Sequence, residues 1–421
     1  MKKFTIVLII LLTCVMLFGC GYLLNNIDNN NGNNNNGNNG NNNNNGPGNN
    51  INTDKLRIYI ENNQFMVDGK RIWINGVNTP WNEWDEFGST NNWNQYNNTW
   101  WDNEFKKLKE AGINATRIWI SCKNDAEYNP PITINSSGLI TGVRQKFWED
   151  LDKLFALARK HEIYIMATLT SFDHFKQQEP WQRLLKNNVH SFAQHYTLPF
   201  VNRYKNNPYL WSIDIINEPE WLIEGSEFDY GFPKPTWAQI QYFIAYNAAV
   251  IRENSDILVT VGFASSKYNG ADEQKASDSA LQAQYNNINA KLDFWSPHYY
   301  SWVSEWYGVP FYLKPSGNLT GNKPNGPFSG GWNLDASKPA VLGECAATGT
   351  NNTTERNRIA VSSRPGTNSI ITDYEYAYNN GWQGVMAWTS NGVDYAGNLN
   401  NLRPATEYMR DNYREIIFPN E

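Results

Sequence analysis

Two glutamates in this chain stand at the ends of matching apolar runs. Glu218 closes Trp211-Ser212-Ile213-Asp214-Ile215-Ile216-Asn217-Glu218-Pro219, where the proline ends the strand ladder because it has no N–H to donate. Far downstream, Lys338-Pro339-Ala340-Val341-Leu342-Gly343-Glu344-Cys345 repeats the design: a short apolar run, a glycine, then a glutamate. Either motif alone is weak, because matches of two or three residues arise often by chance. Two strand-end glutamates in one repeating architecture carry more. Facing each other, they could cleave a glycosidic bond, one protonated to assist the leaving oxygen and the other ionised to attack or to activate water. Their environments must then push the two pKa values apart. Glu218 is the expected acid, raised by the negative charge of Glu344, and Glu344 the expected nucleophile, kept ionised by hydrogen-bond donors.

Three other segments offer groups to such a pair. Arg117, in Ala115-Thr116-Arg117-Ile118-Trp119, is a permanent cation able to hold a carboxylate through two hydrogen bonds; the plain alternative is a structural ion pair at the barrel mouth. In Ser296-Pro297-His298-Tyr299-Tyr300, Tyr300 could donate its hydroxyl to Glu344, and His298 could orient the network or touch a sugar, although a lone histidine is more often structural. Asn217 is placed to bond a sugar 2-hydroxyl. Aromatic faces suit pyranose rings, and Trp81, Trp84, Trp93, Trp119, Trp221, Trp302 and Trp306 fall near expected strand ends, with some destined for the core.

The elements that must position these groups form a repeating series. Short apolar runs alternate with amphipathic stretches, the signature of βα units around a parallel sheet. Eight strands are predicted, over 71–77, 115–121, 162–169, 210–217, 257–262, 293–299, 339–344 and 384–389. Helices are predicted over 100–111, 144–160, 189–204, 236–253, 370–379 and 404–413, with a poorly defined one over 277–289. The α/β fold class that accommodates eight such units is a TIM (β/α)8 barrel, with its chemistry at the carboxyl ends of the strands. Residues 56–60 and 64–67 flank Glu61-Asn62-Asn63 as a small hairpin expected to plug the opposite mouth. Residues 300–335 must make a long loop on the catalytic face.

Composition sets an address and excludes some functions. Residues 1–20 carry Lys2, Lys3 and a short apolar core, which reads as an export signal rather than a membrane-spanning helix. Its ending, Leu17-Phe18-Gly19-Cys20, resembles a bacterial lipobox and would make Cys20 a lipidated anchor at the cell surface. Residues 21–54 form an expected linker, and the asparagine and glycine of 25–50 cannot bury enough apolar surface to order. As a flexible coil that tract would span roughly 25–30 Å. Residues 55–421 are then the catalytic domain. Without residues 1–20 the chain has 33 basic against 41 acidic side chains, a formal charge of −8, which disfavours nucleic acid as a partner. Cys122 and Cys345 end non-neighbouring strands and are expected to be free, buried thiols; no cysteine and histidine cluster has zinc spacing.

With these residues in view, the segment from about 56 to the end resembles glycoside hydrolase family 5, within the clan of retaining barrel glycosidases. The resemblance rests on Gly76-Val77-Asn78, Arg117, Asn217-Glu218-Pro219, His298, Tyr300, Glu344 and Trp388 in Met386-Ala387-Trp388-Thr389. It implies a retaining endo-acting hydrolase with Glu218 as acid/base, Glu344 as nucleophile and no metal or other cofactor. It also implies that Trp388 stacks under the sugar at the cleavage point and that Asn78, Trp81, Arg117, Trp119, Asn217, His298 and Tyr300 line the substrate. Many members carry a histidine closing strand 3; here His174 follows that strand by several residues and is the candidate for the role. Arg117-Ile118-Trp119 resembles the mannanase branch and favours β-1,4-mannan, with endo-β-1,4-glucanase as the alternative and a non-catalytic glycan-binding lipoprotein as a third reading. A monomer acting on a β-linked polysaccharide or oligosaccharide is expected.

Overall fold

The computed structural model describes residues 53–421, except 125–129, 225–233, 265, 270–272, 301–325, 329–331, 348–369 and 396. The expected export signal, Cys20, almost all of the linker, most of the 300–335 loop, Trp302 and Trp306 lie outside the described residues.

Eight parallel strands form the centre: β1 (Ile74–Asn78), β2 (Ala115–Trp119), β3 (Tyr164–Thr168), β4 (Leu210–Asn217), β5 (Leu258–Gly262), β6 (His298–Tyr299), β7 (Glu344–Cys345) and β8 (Gly384–Trp388). All their residues are buried, as expected where one face packs the barrel interior and the other packs helices. A continuous ladder runs β5-β4-β3-β2-β1-β8. The ring closes through β6 and β7. Asp293 N donates to Val259 O (2.8 Å) and His298 N to Phe263 O (2.7 Å) on the β5 side, while Met386 N donates to Leu342 O (2.9 Å) on the β8 side.

Strands 6 and 7 are far shorter than predicted. Pro297 and Pro339 supply no N–H, and the ladder there breaks into isolated bridges, Trp295 with Ala340 and Leu342 with Val385. The first strand starts later than predicted because Lys70–Arg71 pairs instead with Met66 and Val67, in a small antiparallel sheet. That sheet contains the expected hairpin, Tyr59–Glu61 against Gln64–Val67. Phe65 at its centre packs edge-on against Trp211 (5.4 Å) and Phe294 (5.3 Å), at the amino ends of β4 and β6, so the hairpin closes the mouth opposite the glutamates.

Most predicted helices are present. Gln145–His161 ends with Glu162 in the left-handed region, and Trp237–Asn254 begins with a capping box between Thr236 and Gln239. The segment predicted as one helix over 189–204 is interrupted by a wider π turn at Ala193–Thr197. The last long helix starts at Leu399, not Pro404, because Asn398 accepts hydrogen bonds from the backbone of Asn400 and Asn401 and caps it there. An antiparallel hairpin in the β2 loop, Ile132–Ile134 with Ile140–Val143, was not foreseen. Cys122 and Cys345 are buried and form no disulfide.

Candidate active site

The polar centre is built around Arg117, which is fully buried in the middle of β2. A buried cation needs anionic partners, and Arg117 has two. Its Nε and Nη2 donate to Asp214 Oδ2 (3.0 and 2.7 Å), and its Nη1 donates to Glu344 Oε1 (2.6 Å). The two-bond grip expected of Arg117 on a carboxylate closes on Asp214, and Glu344 receives one bond. Thr168 Oγ1 (3.1 Å) and the Gly262 N–H (3.0 Å) complete the shell of Asp214. Gly262 must be glycine, since a Cβ there would sit 2.6 Å from His298 Nε2 and 3.1 Å from Arg117 Nη2.

Replacing Asp214 by alanine leaves half of the guanidinium facing apolar barrel. Breaking a buried pair this way costs about 3–5 kcal/mol, so the denaturant midpoint of Asp214→Ala should fall well below the parent's. An unchanged midpoint would show that the pair contributes nothing to stability.

Glu344 follows Gly343 at the start of the short β7. Its Oε2 accepts from the Tyr300 hydroxyl (3.0 Å), the contact expected from the sequence. Burial raises its pKa above the usual carboxylate value, opposed by His298, by the charge of Arg117 and by the Tyr300 hydrogen bond. Donors thus offset the burial rather than simply holding the group low.

Glu218 sits just past β4 with φ 45°, in the left-handed region that costs a residue with a Cβ roughly 1–2 kcal/mol. The Glu218 N–H donating to Gly262 O (2.7 Å) holds this conformation. The turn aims the carboxylate across the barrel mouth: His298 Nδ1 lies 2.8 Å from Glu218 Oε1 and 3.5 Å from Glu344 Oε1. Carboxylate oxygens of both glutamates and a ring nitrogen of His298 lie within 4.8 Å of one another. The pKa of Glu218 is lifted to about 7, chiefly by burial, with Asp214 adding to the lift and the Trp221 hydrogen bond and Arg117 opposing it. Burial, not the charge of Glu344, is the main cause, contrary to expectation. Burial also pushes His298 down to about 4, so its ring is neutral near pH 7.

The other sequence candidates divide. Asn217 Oδ1 accepts from Arg117 Nη2 (2.7 Å), and among the described residues nothing accepts from its Nδ2. Asn78 is fully buried; its amide donates to Gly343 O and Met386 O and its carbonyl accepts from Arg117, so it ties β1 to β7 and β8 instead of lining substrate. Arg117 has no exposed surface and likewise acts through its partners. Trp119 and Trp388 are nearly buried, with ring centroids 5.8 Å apart, and Trp81 lies 5.3 Å from Trp119 and 6.0 Å from Trp388. Trp84 joins the same aromatic wall, with its ring 4.6 Å from Trp81 and 6.3 Å from Trp119.

His174 is the plain correction. It is fully buried, with Nε2 on Ser121 Oγ (2.9 Å), Nδ1 on Thr170 Oγ1 (2.7 Å) and its ring against Trp181. It closes a capping box at the start of Phe172–Gln177, and among the described residues its ring nitrogens bond to Ser121, Thr170 and Ser171 and to neither glutamate.

Two participants were missed. Asp214 could have been found as an acid inside a strand buried on both faces, where an unpaired charge is not tolerated. Trp221 was read only as a cleft aromatic, yet its Nε1 donates to Glu218 Oε2 (2.8 Å). Glu218, His298 and Glu344 are also close enough to chelate a cation. The Arg117 cation already bonded to Glu344 would repel one, so the cluster reads better as an acid pair.

Solved structures share this arrangement of strands and helices. A β-1,4-mannanase from the sea hare Aplysia kurodai superposes with a TM-score of 0.64 at 24% identity, covering 84% of this chain and 97% of its own. The endo-1,4-β-mannanase of Eisenia fetida gives 0.66 at 19%, covering 84% and 95%. The fold of this chain is the barrel of parallel strands and outer helices that these structures share. In sequence, the mannan endo-1,4-β-mannosidase of Mytilus edulis is 24% identical over 390 residues, 83% of this chain and 92% of the relative. That of Cryptopygus antarcticus is 24% identical over 356 residues, 78% and 82%. No protein-family profile matches the chain.

Proposed function

We propose that this protein is a retaining endo-β-1,4-mannanase, with Glu218 as acid/base and Glu344 as nucleophile. The observation that carries this is the pair of opposed carboxylates within 4.8 Å, one lifted to about pH 7 and the other bonded to a cation and a phenol. Retention uses carboxyl groups about 5–5.5 Å apart, whereas inversion needs roughly 6.5–9.5 Å for an intervening water. The relatives named mannan endo-1,4-β-mannosidase support mannan over glucan as substrate.

In the first half of the reaction Glu344 attacks the anomeric carbon while Glu218 gives its proton to the glycosidic oxygen. The old C–O bond breaks and a glycosyl ester forms. Arg117 and Tyr300 take up the charge of Glu344 in the resting site and again when it leaves. In the second half Glu218, now ionised, removes a proton from water, which attacks the same carbon and restores both carboxyls. Asn217 Nδ2 is free to meet the sugar 2-hydroxyl, a contact that strengthens in the transition state. The wall of Trp81, Trp119 and Trp388 offers apolar faces to pyranose rings.

The test is a panel of galactomannan, glucomannan and carboxymethylcellulose, with products followed by NMR before they mutarotate. Internal cleavage of the mannans with retained β-configuration is expected. Faster cleavage of carboxymethylcellulose would make the protein a glucanase, and an inverted product would remove Glu344 as nucleophile.

The address is a separate part of the proposal, supported by Lys2, Lys3, the apolar run and Cys20: export, followed by lipid anchoring at Cys20 on a membrane surface. Parent protein should pellet with membranes and Cys20→Ala should not; equal partitioning would end the anchor.

A further inference from the structure

Glu218 has two carboxyl oxygens in unlike surroundings. Oε1 lies 2.8 Å from His298 Nδ1, the same nitrogen that stands 3.5 Å from Glu344 Oε1, so this oxygen is on the side of the opposing carboxylate. Oε2 lies 2.8 Å from Trp221 Nε1. An indole nitrogen always carries its hydrogen and can only donate. Oε2 must therefore accept at that contact and cannot present a proton there.

We propose that Trp221 is the positioning residue of the acid/base: its indole N–H pins Glu218 Oε2 as an acceptor, so that the proton delivered to the glycosidic oxygen is carried on Oε1. This inference rests on the retaining mechanism above and names the atom that moves the proton in it. Three local features fix the geometry. Trp221 begins the short helix Trp221–Glu224 two residues after Pro219, its backbone N–H donates to Glu218 O (3.2 Å), and its side chain is buried. A rigid turn thus holds donor and acceptor three residues apart.

The proton count is simple. In glycosylation the Oε1–H bond breaks and the proton goes to the leaving oxygen, leaving a carboxylate that the Trp221 N–H and His298 stabilise. In deglycosylation a water proton returns to Oε1. The indole bond favours the ionised form, and this is the direction in which Trp221 moves Glu218.

Trp221→Phe retains most of the ring and removes only the donor. The acid is active while protonated, so the alkaline limb of kcat/KM follows its pKa, near 7 in the parent. Losing a donor to the carboxylate raises that pKa, and the limb should move up by about one pH unit, a tenfold change in proton affinity. On mannan kcat should drop roughly tenfold with KM changed less than about twofold, since a carboxyl free to rotate delivers its proton less often. On an aryl β-mannoside with an activated leaving group, which needs no proton, kcat/KM should stay within about twofold of the parent. A limb that does not move, or an equal loss on the activated substrate, would overturn the assignment and leave Trp221 a packing residue. If the parent does not cleave mannan or the aryl glycoside at all, the retaining reading itself has failed, and the two failures are distinguishable. A parent-like thermal midpoint for Trp221→Phe establishes that the comparison is between folded proteins.

Discussion

Glu344→Ala should lower hydrolysis of mannan on the order of 10⁵-fold, because no other group can form the glycosyl ester. In the parent, the Arg117 Nη1 bond to Oε1 (2.6 Å) and the Tyr300 hydroxyl bond to Oε2 (3.0 Å) present both carboxylate oxygens in a fixed orientation. Alanine leaves these donors facing a space the size of a carboxylate. A small anion fits there both sterically and electrostatically, since Arg117 remains charged. Added azide should restore part of the activity on an aryl glycoside, attacking from the vacated side to give a glycosyl azide of inverted configuration. The opposite outcome, a product of retained configuration, would mean that Glu344 is the acid/base and that the two roles are exchanged.

Glu218→Gln should reduce kcat on mannan by about 10²–10⁴-fold, the range contributed by a positioned general acid and base. The amide is close to the carboxyl in shape, so binding of a mannan oligosaccharide, measured by calorimetry, should be nearly unchanged. The sign of the pH dependence follows from the lifted pKa. Glu218 is active when protonated, and activity in the parent is lost as pH rises through about 7. Glutamine has no proton to lose, so the alkaline limb assigned to Glu218 should vanish from the residual rate. Activated aryl substrates should still glycosylate the variant but hydrolyse slowly afterwards, giving a burst of released phenol. A variant that cuts polymer at the parent rate, or keeps the same limb, would disprove the assignment of the acid.

The two glutamates and their neighbours were legible because their signals are local. A run such as Trp211–Ile216 is apolar because a barrel strand is buried on both faces, and the residues that break the run at its end stand out. The same rule that revealed Glu218 also contained Asp214, which breaks the run from inside. Its partner could not be read, since Arg117 lies 97 positions away and only the assembled sheet, with β3 between them, brings β2 within reach of β4. His174 misled for a related reason. A histidine near a strand end can face the mouth or cap the following helix, and the hydrogen-bond partners that decide between them, Ser121 and Thr170, come together only on folding.

The repeating strand and helix order, the hairpin beneath the barrel and the two strand-end glutamates are legible in the chain without coordinates, because periodicity and turn chemistry are written in neighbouring residues. How Arg117 divides its bonds, why Glu218 is lifted by burial and which oxygen Trp221 holds emerge only once the chain is folded. Those depend on distances between residues far apart in the chain and on how much water the closed ring excludes, and neither quantity is carried by any local stretch of sequence.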